Sequence, residues 1–205
     1  VSRITSISIL ILLILSLADS PHRAIAIHIL APAGGDLSDP FADLVVGVPY
    51  ENLYEATSEI SSAGMLHVIF GYPQGLGPQD NEIWDQDMDF SQDKVESGDG
   101  FGYALASGDF NGDGRFDLAA GVPFEDIGTG PGAKRSAGAV HVIYGSNSGG
   151  FTPANNQFWH QNSPDVQGTA EDFDNFGREL AVGNFNGDDY DDLAVGVPFE
   201  DFEYG

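Results

Sequence analysis

The segment FGYALASGDFNGDGRFDLAAGVPFED, Phe101 to Asp126, returns 75 residues later as FGRELAVGNFNGDDYDDLAVGVPFED, Phe176 to Asp201. A chain that repeats a unit of this size stacks copies of one supersecondary structure, and this restricts its fold more than any local propensity. The period holds elsewhere. SAGMLHVIFG, Ser62 to Gly71, reappears as SAGAVHVIYG, Ser136 to Gly145, and Trp84 and Gln86 return as Trp159 and Gln161. The triplet Gly47-Val48-Pro49 recurs at Gly121-Val122-Pro123 and Gly196-Val197-Pro198, so about two and a half copies are present.

Within a copy the segments read as strands. Asp117 to Val122 is a short apolar run stopped by Pro123, and Ala139 to Tyr144 is rich in β-branched and aromatic residues. Gly, Pro, Asn and Asp clusters separate such runs, and the repeats lack a helical period. With 27 glycines and 11 prolines the composition is turn-rich. The expectation is an all-β fold with about four short antiparallel strands per copy, which suits the blade of a β-propeller.

Each copy carries oxygen-bearing side chains at alternate positions of one loop. In the first, Asp109, Asn111, Asp113 and Asp117 stand at positions 1, 3, 5 and 9, and the Arg115 carbonyl would fill position 7. In the second, Asn184, Asn186, Asp188 and Asp192 take those places, with the Tyr190 carbonyl at position 7. Ca2+ prefers such oxygen ligands, and carboxylates held this close repel one another unless a cation lies among them. Gly112 and Gly114 permit a tight wrap, while Phe110 and Phe116 should point away into the packing. An Asx-rich turn would use the same residue types. An EF-hand would need Glu at position 12, which is Ala120 in one loop and Val195 in the other. A degenerate version, Asp36 to Asp43, matches only with one residue deleted and has Pro40 at the turn.

FG, then DxNxDGxxD, then GVP resembles the FG-GAP repeat of the integrin α-subunit propeller over about residues 36–205, with inserts after Glu51 and Glu125 more similar to bacterial integrin-α-like proteins. The resemblance implies a seven-bladed closed propeller, of which this chain would be a fragment. It also implies calcium loops on the face opposite the main ligand surface, and adhesion or recognition of a protein or glycan. Phospholipase D acting on glycosylphosphatidylinositol anchors carries similar propellers, so an accessory domain of an exported hydrolase is the alternative. A non-functional gene fragment is a third reading.

Residues 1–26 read as a secretory signal: Ile7 to Leu17 is an apolar run too short to span a bilayer, and Ala24-Ile25-Ala26 offers a cleavage site. The expected organisation is then an atypical first blade over 27–100, with Ala24 to Leu30 contributing a strand, a second blade over 101–175 and a truncated one over 176–205. That places the protein outside the cell or on its surface, without membrane insertion after the signal is removed. No cysteine is present, which excludes disulfides and thiolate metal sites. A formal charge of −25 argues against nucleic-acid binding. The acidic stretch from Asp85 to Glu96 reads as a solvated loop. His67 and His141, and Trp84 and Trp159, hold repeated positions and read as packing residues. No catalytic motif stands out, and a non-enzymatic chain is expected.

Overall fold

The computed structural model describes residues 26–30, 41–55, 58–77, 79–88, 94–147 and 149–201. Most of the expected leader and of the degenerate loop at 36–43 lie outside these residues. The strands are β1 (Ala26–Leu30), β2 (Asp43–Val48), β3 (Leu53–Glu55), β4 (Ser58–Ile60), β5 (Met65–Ile69), β6 (Gly71–Tyr72) and β7 (Gly75–Leu76). They continue with β8 (Glu82–Trp84), β9 (Leu105–Gly108), β10 (Asp117–Val122), β11 (Ala139–Gly145), β12 (Phe151–Trp159), β13 (Glu179–Gly183) and β14 (Asp192–Gly196). Among the described residues there is no α-helix, and no helix is long and apolar enough to cross a membrane.

Two four-stranded antiparallel meanders carry the copies: β1-β2-β5-β8 and β9-β10-β11-β12. β13 and β14 pair as a third sheet, and β3-β4 and β6-β7 are small hairpins in the connections. These are the propeller blades expected from the period. The register repeats too: Leu30 faces Asp43, Gly108 faces Asp117, and Gly183 faces Asp192. β1 therefore occupies the innermost place of its blade although it lacks the FG dipeptide. β9 lies beside both β1 and β13, so the inner strands of the sheets stand next to one another.

Side-chain parity divides the core between neighbouring sheets. In β10, Leu118, Ala120 and Val122 join Val45, Leu66, Val68 and Trp84 of the first blade. Ala119 faces the other way and joins Val140, Val142 and Phe176, against which Leu180, Leu193 and Val195 pack. All six residues of β10 are buried. This explains its unbroken apolar run: a strand covered on both faces has no solvent side on which to alternate. Phe116 packs into the first cluster and Phe110 into the second, both directed inward as expected. His141 is buried between the rings of Phe101 and Phe158, at 5.6 and 4.8 Å. Trp84 meets Phe151 of the next sheet edge-on at 6.1 Å. His141, Trp84 and Trp159 are packing residues.

The blades are joined backbone to backbone. Phe101 N–H donates to the Ala63 carbonyl at 2.9 Å, and Phe176 N–H to that of Ala137 at 2.8 Å. This draws the FG turn of one copy over the SAG turn of the copy before. A Cβ on Gly64 would lie 2.5 Å from Phe101 N, and one on Gly138 2.5 Å from Phe176 N. Both glycines also have positive φ, 90° and 88°, which L side chains avoid. A side-chain link accompanies each contact: Gln86 Nε2 donates to Glu125 Oε2 at 3.0 Å in a buried bond, and Gln161 Nε2 to Glu200 Oε2 at 2.5 Å in a half-buried one.

Gly138→Ala should therefore cost about 2–5 kcal/mol, combining left-handed strain with a side chain forced against backbone. Gly149 is the control, since its φ is 86° and nothing lies within 4 Å of where its Cβ would be. Gly149→Ala should cost only about 1–2 kcal/mol. Urea-unfolding midpoints of the two variants measure the difference, and equal losses would show that the blade contact carries no special weight.

Candidate metal centre

The loop at 109–117 joins β9 to β10, and that at 184–192 joins β13 to β14. The chain must reverse within a few residues in each. Gly112 and Gly114 accomplish the first reversal at φ 73° and 82°, and Gly187 serves the second at 81°.

In the first loop the expected ligand side chains are folded onto their own backbone. Asp109 accepts from Asp113 N–H at 3.0 Å through Oδ1 and from Gly114 N–H at 2.8 Å through Oδ2. Asn111 Oδ1 accepts from Asp113 N–H at 2.9 Å, and Asp113 Oδ1 from Arg115 N–H at 3.0 Å. The remaining Asp113 oxygen pairs with the Arg115 guanidinium. The sequence reading used Arg115 only for its carbonyl and missed this side-chain pair.

Asp117 is fully buried and ties two elements together. Its Oδ2 accepts from Phe110 N–H at 3.0 Å, and its Oδ1 from Gly145 N–H, at the end of β11, at 2.9 Å. Burial is the main cause that lifts its pKa to about 6, and the charges of Asp113 and Asp109 add to this against the two hydrogen bonds. Asp43 repeats the device in the first blade, accepting from Gly71 N–H at 2.8 Å.

The second loop has the same turn pattern but is exposed from Asn184 to Tyr190. Asn184 Oδ1 accepts from Gly187 N–H at 2.6 Å, and its amide donates to the Asp188 carbonyl. Asn186 Oδ1 accepts from Asp188 N–H at 2.8 Å, and Asp188 Oδ1 from Tyr190 N–H at 2.8 Å. Asp192 Oδ2 accepts from Phe185 N–H at 2.6 Å.

In donor chemistry the first loop fits a hard cation: three carboxylates and an amide oxygen within nine residues, without nitrogen or sulfur ligands. In the arrangement present here the same oxygens serve loop N–H groups. Among the described residues no three acidic or histidine side chains converge closely enough to hold an ion.

The two loops touch. Asp109 N–H donates to Asp191 Oδ2 at 2.9 Å, and Asp191 N–H donates to the Asp109 carbonyl at 3.0 Å. A Cβ on Gly112 would lie 2.5 Å from the Tyr190 ring. Sequence reasoning did not find Asp191, because position 8 of the first loop is Phe116 and the repeat gives no signal there. The Gln86–Glu125 and Gln161–Glu200 links were also missed, although all four residues recur at the 75-residue period.

With chelator present, Asp117→Ala should cost about 2–4 kcal/mol, since it strands the buried Gly145 N–H and the half-buried Phe110 N–H. Asp113 is 29 % exposed and serves only its own loop, so Asp113→Ala should cost under about 1 kcal/mol there. Denaturant melts in chelator separate these roles, and a larger loss for Asp113→Ala would reverse the assignment.

An FG-GAP repeat family model matches residues 101–143 and 176–205. Human phosphatidylinositol-glycan-specific phospholipase D is 34% identical over 171 residues, covering 82% of this chain and 18% of that protein. Mouse integrin alpha-E is 28% identical over 179 residues, 82% of this chain and 13% of its own length. Human integrin alpha-7 is 37% identical over 107 residues, 49% of this chain and 8% of its own. The chain thus spans less than a fifth of each of these relatives. The repeated glycine contacts, the blade meanders and these matches agree: the chain carries FG-GAP repeats, and its blades are similar to those of integrin-α-like propellers.

Proposed function

We propose that this chain is a non-catalytic, calcium-stabilised propeller module, secreted or displayed at the cell surface, that recognises another macromolecule. The observation that carries the reading is a matched pair of oxygen-rich loops joining the first two strands of neighbouring blades. Side chains of Asp109, Asn111, Asp113 and Asp117 with the Arg115 carbonyl would hold one ion. Asn184, Asn186, Asp188 and Asp192 with the Tyr190 carbonyl would hold another. A bound Ca2+ would supply positive charge and coordination, not reactivity, to a loop that crowds Asp109 and Asp113 around buried Asp117. The similarity to integrin α chains favours a protein or glycan ligand taken on a propeller face, by analogy of fold and sequence.

A second reading is favoured by one observation: the match to human phosphatidylinositol-glycan-specific phospholipase D covers 82% of the chain. The blades would then be the accessory part of an exported hydrolase. Release of an anchored reporter by the natural full-length protein would favour this reading, whereas calcium-dependent cell attachment to surfaces coated with the chain favours recognition.

At about 2 mM calcium and a dissociation constant near 0.1 mM, each site should stabilise the fold by about 1.8 kcal/mol. That corresponds to a rise of about 4–7 °C in Tm per site for a chain of this size. Asp113→Ala should remove the share of the first loop. A melting temperature indifferent to calcium, or a full shift surviving in Asp113→Ala, would overturn the calcium assignment.

A further inference from the structure

We infer that Asp191 and Tyr190, on the second loop, are positioning residues for the first, so that ion binding in one blade depends on a clamp from the next. The inference rests on the calcium reading above and concerns residues outside the side-chain ligand sets. Asp191 holds both backbone groups of Asp109, the residue at position 1: its carboxylate accepts the N–H at 2.9 Å and its own N–H reaches the carbonyl at 3.0 Å. Asp109 in turn accepts from Asp113 and Gly114 N–H, so fixing its backbone fixes the entry to the whole loop.

Tyr190 adds a second contact to the same loop. Its ring occupies the space that a side chain at position 112 would need, against a glycine at φ 73°. Gly108, just before the loop, is equally constrained: a Cβ there would meet the Asp191 Cβ at 2.9 Å and Val182 Cγ1 at 2.8 Å. The loop is therefore gripped at its first and fourth positions by residues 190 and 191. These are also places where the two copies differ in sequence, Tyr190-Asp191 standing where the first loop has Arg115-Phe116. A departure from the repeat that coincides with an inter-blade contact marks a role belonging to this pair of blades.

The test uses the full chain in an Asn184→Ala background, which removes the position 1 ligand of the second loop and leaves the Asp188–Tyr190 hydrogen bond and the Asp191 contacts in place. Calcium titration calorimetry then reads the first loop alone. Adding Asp191→Ala should weaken that binding about tenfold, the worth of one charge-assisted hydrogen bond, and Asp191→Asn, which keeps an acceptor, should restore most of it. Amide hydrogen exchange at residues 109–114 in chelator gives a metal-free readout, and protection should fall in Asp191→Ala and recover in Asp191→Asn. Unchanged affinity and protection in Asp191→Ala would overturn the inference while leaving the calcium reading intact. No calcium uptake even before Asp191 is altered would overturn the calcium reading and the claim on affinity together, with hydrogen exchange still deciding whether the clamp exists.

Discussion

The blade-to-blade backbone contact at the SAG and FG turns is the constraint on which the rest depends. Phe101 and Phe176 donate their N–H groups to carbonyls of the preceding blade, and Gly64 and Gly138 leave no room for a side chain between the two strands of chain. A contact of this closeness sets the spacing of the sheets. It thereby decides which side chains share a core: Leu118, Ala120 and Val122 with one neighbour, Ala119 with the other. The same turns strain the residues beside them. Ser62 and Ser136 both take positive φ, 54° and 46°, each with its N–H held by an oxygen of Asn52 or Asp126. Such strain persists because the surrounding hydrogen bonds over-determine it.

Spacing set in this way also brings the two Asx-rich loops side by side, with different electrostatic character. Asp117 is buried and bridges its own loop to the end of β11, while Asp192 is only half-buried and serves the N–H groups of residues 185 and 186. The first loop therefore has a fixed floor and a crowded set of carboxylates. The second keeps more solvent around its donors, and amides stand at two of its positions. Arg115 places one of the chain's seven basic residues beside Asp113, which partly balances the first loop without any ion. An acidic chain of formal charge −25 has few such partners to offer, and cations from solution are the other source of balance.

Much of this architecture was legible before any coordinates. Spacing by 75 residues revealed the repeat, the apolar runs marked β10 and β11 nearly to the residue, and the turn chemistry located both loops. The repeated histidine and tryptophan were readable as packing residues because identical placement in successive copies serves architecture. What the period could not convey was the partner of each residue. Gln86 and Glu125 are 39 positions apart, and only the stacking of one blade on the next makes them neighbours.

The chain's own chemistry thus determined the unit: short apolar runs, the glycines, and oxygen-rich loops at equal intervals. These are local properties, written in spacing and residue type. The tertiary structure decided the use of each oxygen, because burial and partners depend on what a neighbouring blade places alongside. Asp117 became a buried bridge, Arg115 a counter-charge, and Asp191 a clamp on another copy's loop, none of which a one-dimensional pattern encodes. A hydrogen bond needs its partner within about 3 Å, and that proximity arises only when the sheets pack.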